Sequence, residues 1–209
     1  GSTGTTTPLL QHEAYHPPAV RGTGELIDLE SWLARDSERR NADRQQHSSS
    51  LNAILAEAGG SETLLLHDRQ RGLGVLGDEI AHLAVTSRGI WVIEARHFAG
   101  SRVDVVWASG VDDERERLLV NGHDRTLMVK KLDRQVQMVR SAMASQEVPV
   151  GALLCFVGAT LPRVWTPSIH GYPVCDVDGT AGMLHATGPL GTDRRHEIHD
   201  ALARLFPAI

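Results

Sequence analysis

The sequence predicts an α/β protein, a mixed sheet flanked by helices, and three stretches carry that expectation. Residues 80–86 and 90–95 are apolar, β-prone runs separated by Ser87-Arg88-Gly89, so an antiparallel hairpin is the cheapest local structure. Residues 125–145 place Val129, Leu132, Val136, Val139 and Met143 on one stripe at a period of about 3.5 residues, the signature of a helix with one face to bury. Residues 148–157 are apolar without alternation, which suits a strand covered on both faces.

The other elements follow in chain order. Residues 1–24, rich in Thr, Pro and Gly, read as a flexible tail, with His12 and His16 as chance polar residues in it. Leu26, Leu29 and Leu33 then recur at helical spacing, and the charged run 35–44 extends this extra N-terminal helix into solvent. Ser48-Ser49-Ser50 offers an N-cap for a second helix, whose Leu51, Ile54, Leu55 and Ala58 share a face and which stops at Gly59-Gly60. A buried strand is expected over 63–67. After the hairpin, 101–107 would extend the sheet and 112–117 reads as a charged loop. Residues 172–177 suit an edge strand, and 193–206 an amphipathic helix turning Ile198, Leu202 and Leu205 inward. The expectation is one domain over 25–209. Its core, about 47–177, runs helix, three strands, helix, strand, and the C-terminal helix follows.

A net charge of −5 argues against a surface coated in positive charge for nucleic acid, but leaves room for a local basic groove. Lys130 and Lys131 are the only lysines among 21 basic residues. Arginine elsewhere suits phosphate oxygens, and equally suits a GC-rich genome. No apolar run approaches the roughly 18–20 residues of a membrane span, and no signal-peptide pattern opens the chain. Gly1-Ser2 in place of an initiator Met suggests trimming upstream. Cys155 and Cys175 lie in apolar, strand-like runs and read as buried reduced thiols, which fits a cytoplasmic protein.

The chemistry concentrates on the hairpin. Side chains alternate along a strand, so Glu94 and Arg96 share one face while Ile93 and Ala95 take the other. A carboxylate and a cation so placed can hold a divalent metal beside a group that stabilises negative charge, and phosphodiester hydrolysis needs both. The plainer reading of the same spacing is an ion pair.

Taken together, Leu66-His67-Asp68-Arg69, Ile80-Ala81-His82-Leu83, Gly89-Ile90-Trp91-Val92-Ile93-Glu94-Ala95-Arg96 and a later helix carrying Gln135 resemble the nuclease-related domain family. That family is a branch of the restriction-endonuclease-like fold, with a site written Asp…(Asp/Glu)-x-Lys. The resemblance covers about 47–177. It implies a restriction-endonuclease-like core, Glu94 as the catalytic and metal-holding carboxylate, Gln135 leaning toward the site, and Mg²⁺ as cofactor if the site works. Two positions depart from the pattern: Ala81 stands where the family has its metal-binding Asp, and Arg96 where it has Lys. The acid often found on the family's first helix would fall near 45–48, where this chain has no carboxylate.

These departures set the functional alternatives. Arginine stabilises developing charge, but a pKa above about 12 leaves it no neutral form with which to activate water. Ala81 supplies no ligand. Glu79, two positions earlier and by strict alternation on the same face, lies about 6.5–7 Å along the strand and is the candidate replacement ligand, while Asp78 falls on the other face. Lys131, one turn before Gln135 and sharing its face away from the apolar stripe, is the candidate replacement cation; a solvated helix face is the plainer reading.

The leading expectation is a nuclease-related domain whose catalysis is lost or weakened, serving as an interaction module for nucleic acid or a protein partner, with no cofactor. The alternative is an active Mg²⁺-dependent nuclease rewired through Glu79, Glu94, and Arg96 or Lys131. A third reading takes Gly72, Gly74 and Gly77, with Glu94 following Gly74 at about the 20-residue spacing of a ribose-binding acid, as a dinucleotide loop. It requires a helix over 77–85. His196 and His199 lack the spacing of a zinc-protease motif and read as surface residues, and His82 reads as a core or interface histidine. The oligomeric state is open at this stage.

Overall fold

The computed structural model describes residues 29–71, 78–107, 116–162 and 166–209. The chain divides into two compact units, Gly1–Ala42 and Asp43–Ile209. Of the first, the described part is the opening of helix α1 (Leu29–Gly59). The expected tail with His12 and His16, the glycines Gly72, Gly74 and Gly77, and the charged stretch 112–115 lie outside the described residues.

Helix α1 runs without interruption through Ser48-Ser49-Ser50, so these serines do not cap a second helix. No Gly or Pro occurs in it before Gly59, and Ser inside a helix costs only tenths of a kcal/mol, about 0.5 relative to Ala. A cap residue needs a break beside it to act as one.

Strands β1 (Leu64–Arg71), β2 (Asp78–Thr86) and β3 (Gly89–His97) form an antiparallel meander. The expected hairpin is present, paired from Thr86↔Gly89 to His82↔Ile93. A strand at 78–86 removes the helix on which the dinucleotide reading depended. Strand β4 (Val103–Trp107) does not extend this sheet; with β5 (Glu116–Val120) and β6 (His123–Asp124) it makes a separate three-stranded sheet. The reason is that β3 has only two edges. One pairs with β2, and the other pairs in parallel with β7 (Val150–Val157). Glu116 and Arg117, expected in a loop, therefore begin β5.

Helix α2 (Thr126–Ala142) crosses from the small sheet to β7, with a 3₁₀ turn at Ala144–Gln146 between them. The last strands are β8 (Ser168–Ile169) and β9 (Tyr172–Cys175). The large sheet has the order β1-β2-β3-β7-β9-β8, so the two-residue β8, not β9, is the edge. Chain continuity at Val177 passes to a helix, α3 (Val177–Leu184), capped by Asp176, whose side chain accepts from the Gly179 N–H at 2.8 Å. Helix α4 (Thr192–Leu205) closes the chain. Ile198 and Leu202 face inward as expected, but Leu205 is exposed; the chain leaves helical geometry at Phe206, whose ring takes the buried position instead.

The large sheet is covered on both faces, which makes this a mixed α/β fold. On one side Val129, Leu132, Val136 and Val139 of α2 and Ile198 and Leu202 of α4 pack over Leu83, Val85, Ile90, Val92, Leu154 and Phe156. On the other, Leu51 and Leu55 of α1 and Leu184 of α3 pack over Ala84, Ile93, Ala95, Leu153 and Cys155. This double coverage explains the unbroken apolar run of β7. Cys155 and Cys175 are free, buried and register partners on β7 and β9. Along the outer edge of β1 the C-terminal backbone lies antiparallel, with Gln70 N–H donating to Pro207 O at 3.1 Å and Ile209 N–H to Asp68 O at 3.0 Å. Among the described residues no helix is long and apolar enough to cross a membrane.

Candidate functional site

Strand alternation puts Glu94 on the face of β3 that also carries Ile90 and Val92, beneath α2. Its side chain is 3% exposed, and Arg96 Nη2 lies 2.7 Å from its Oε1 with the Arg96 side chain half exposed. Burying a carboxylate alone is costly, by several kcal/mol even after relaxation. Arg96 offsets that cost from two residues away on the same strand, and in doing so engages one of the two carboxylate oxygens.

The surroundings of Glu94 supply few other ligands. The β2–β3 ladder ends at His82↔Ile93, one residue short of the half-buried Ala81 on β2 and of Glu94 on β3. Beyond Ala81, on β1, the ladder passes from His67↔His82 to Arg69↔Ile80 and skips Asp68, whose φ of 51° is left-handed. The Asp68 carboxylate turns to α1, where Ser48 Oγ donates to it at 3.4 Å from either oxygen. Around this irregularity strict alternation fails: Ile80 packs in the same layer as Leu83 and Val85. The expectation that Glu79 points with Ala81 rested on that alternation, which is interrupted between Ile80 and Leu83. Glu79 has an exposed side chain, and its backbone carbonyl accepts from Gln135 Nε2 at 2.5 Å.

Gln135 itself corrects a second expectation. It is 4% exposed, inside the buried stripe of α2 with Leu132 and Val136, and ties the helix to the start of β2. Lys131 remains outside, exposed, with no ion pair to Glu94. The structure thus brings Glu94, Arg96 and Gln135 to one layer, and leaves Glu79 and Lys131 at the surface.

Histidines define the opposite face of the same strands. His67 Nδ1 and His82 Nδ1 are 2.9 Å apart, with rings edge-on at 5.2 Å. At that separation one ring donates its Nδ1–H and the other accepts at a bare Nδ1, so at most one of the two rings can be protonated. Burial, helped by His67 and Arg96, pushes His82 down to about 3, and burial also lowers His67. Further along β3, His97 Nε2 is 3.4 Å from Ser50 Oγ and its ring meets that of His47 edge-on at 6.1 Å. These three residues and Gln46 line an open groove of about 330 Å³. His196 and His199 lie apart on α4, bonded to Thr192 O and Asp200.

The histidines, Asp68 and the α1 serines were not singled out as site candidates from sequence. The signal was present in part, since His67 and Asp68 belong to the motif and His97 follows Arg96. What was lacking was the pairing of β1 with β2, which alone puts His67 against His82.

A Mg²⁺ ion wants several oxygen ligands in near-octahedral order. Here one buried carboxylate is already paired with a guanidinium, Ala81 offers a methyl group, and no group of three or more His, Cys, Asp or Glu able to hold a metal occurs among the described residues. These residues do not fit a Mg²⁺ site. Comparison of the chain with protein-family models, with curated proteins and with solved structures returns no match.

Proposed function

We propose that this chain is a nuclease-related domain, built on a restriction-endonuclease-like core, whose phosphodiester chemistry is lost or much weakened and which serves as an interaction module for nucleic acid. Support for the core comes from its order, α1, β1 to β3, α2, β7, with Glu94 and Arg96 on β3 and Gln135 on α2. The observation that carries the loss of chemistry is the 2.7 Å contact between Arg96 and Glu94. In a working site the cation stands ready for the developing phosphorane charge and the carboxylate for metal. Here each neutralises the other, and the neighbouring Ala81 leaves no second carboxylate to take over.

Removing one catalytic group commonly costs about 10²–10⁴-fold, and groups acting as a unit do not add simply. Incubation with double- or single-stranded DNA and Mg²⁺ or Mn²⁺ is expected to give no cleavage above background, and calorimetric titration with either ion no saturable binding. Joint substitution Ala81→Asp, Arg96→Lys and Gln46→Glu, which rebuilds both departures and the first-helix acid, should return measurable cleavage. Robust hydrolysis by the unmodified chain that disappears in Glu94→Ala would overturn the reading in favour of a rewired Mg²⁺-dependent nuclease, with Glu79 and Lys131 as the next residues to replace.

A further inference from the structure

Helix α2 has two unlike sides. Val129, Leu132, Gln135, Val136 and Val139 are buried. At about 100° per residue, Leu127, Lys130, Lys131 and Arg134 gather within one arc on the opposite side, and all four are exposed. Leu127 is 78% exposed beside these cations. Lys131 and Arg134 have no ion-pair partner among the described residues. Both lysines of the chain are here, in a protein of net charge −5.

Among the described residues, two nearby carboxylates are engaged elsewhere. Asp133, the only acid in α2, points off the flank of this arc and meets His170 Nδ1 at 3.0 Å. Asp124, before the helix, accepts from Thr126 N–H at 2.8 Å and pairs with Arg117 at 3.1 Å. Like charges spaced i,i+3 and i,i+4, as in Lys131 with Arg134 and Lys130 with Arg134, destabilise a helix. Among the described residues, no ion pair within the fold accounts for Lys131 and Arg134 standing together on this ridge.

We propose that the outer ridge of α2 is a contact surface for the phosphate backbone of duplex nucleic acid, read without regard to base sequence. The inference rests on the nucleic-acid side of the function proposed above. Lysine supplies a compact point charge and arginine a planar fork matched to phosphate oxygens. From Leu127 to Arg134 the helix rises about 10 Å, the axial length of about three base pairs at 3.4 Å each. The net negative charge of the molecule as a whole disfavours approach of a polyanion, so the ridge also fixes which side faces it.

The test is fluorescence anisotropy with a labelled 20-base-pair duplex of arbitrary sequence across a salt series, comparing the unmodified chain, Lys131→Gln with Arg134→Gln, and Arg204→Gln on α4 as a control for loss of positive charge. Melting temperatures confirm that each variant is folded. The double variant should bind at least tenfold more weakly at low salt. Its slope of log K against log salt should flatten by about 2, at roughly 0.9 per lost phosphate contact, with the control unchanged. No binding by the unmodified chain, an unaffected double variant, or an equal loss in the control would each overturn the surface. So would polyglutamate competing as well as unlabelled duplex, which would mark an acidic protein as the occupant. The cleavage and metal experiments above read loss of catalysis independently, so a failed surface and a failed nuclease-related reading give different results.

Discussion

His67 and His82 share one contact that two protonated rings cannot make, and this ties the stability of the fold to pH. The folded value of His82 is about 3, below the usual 6.5, so the unfolded chain binds more protons in between. His67 shifts in the same direction. Stability from these residues is complete above about pH 6.5 and is lost as pH falls from there toward 3, at up to about 1.4 kcal/mol per pH unit for each proton taken up. Urea titrations between pH 7.5 and 4 should show this decline, and His82→Asn, which keeps a polar partner for His67 without titrating, should flatten it. An unchanged acid limb in that variant would place the proton uptake elsewhere. Sequence alone read His82 as a core or interface histidine, and it is buried. The sequence could not supply the partner, which lies 15 positions away and is set by strand register. The same limit applied to Glu94 and Arg96: their shared face followed from a two-residue period, whereas Gln135 turned out to belong to the buried stripe because a polar side chain can enter a core when a backbone carbonyl, here that of Glu79, waits for it.

At the scale of elements, the β2–β3 hairpin was the most legible part of the chain, and its turn shows why. Gly89 has φ of +135°, and a Cβ there would overlap the carbonyl oxygen of Pro149 at the start of β7's approach. Gly89→Ala should therefore destabilise by more than about 1 kcal/mol, through strain and clash together, measured as a fall in the urea midpoint at constant m. Little or no change would mean that the turn and Pro149 separate readily. Elements with one buried face were readable by period, as in α2 and α4. Those whose identity depends on partner choice were not: β4 has the composition of a sheet strand, but only the pairing of β7 with β3 excludes it from the large sheet. Helix α3, eight residues with two glycines, is too short for a periodic signal, and Asp176 was its only local mark. The break in alternation beside Asp68 was equally hidden, since nothing in Leu-His-Asp-Arg announces a left-handed backbone.

For the whole molecule, the class was readable because alternating and continuous apolar runs already imply a sheet covered on two sides, and both layers are present. The C-terminal segment has a bearing on solubility. An open sheet normally offers two strand edges as templates for another chain, and that is the route to aggregation. Here one edge ends in the two-residue β8, too short to recruit a partner strand. The other, β1, is eight residues long, and at its C-terminal half the Gln70 N–H and the Asp68 carbonyl are met by Pro207 and Ile209. Removing 207–209 should uncover that edge and produce concentration-dependent self-association, seen by light scattering; a truncated chain that stays as monodisperse as the full one would show the edge protected by other means. Residues 207–209 thus work as a guard against templated strand addition at the β1 edge of the large sheet, so that association between copies through this sheet would first have to displace them.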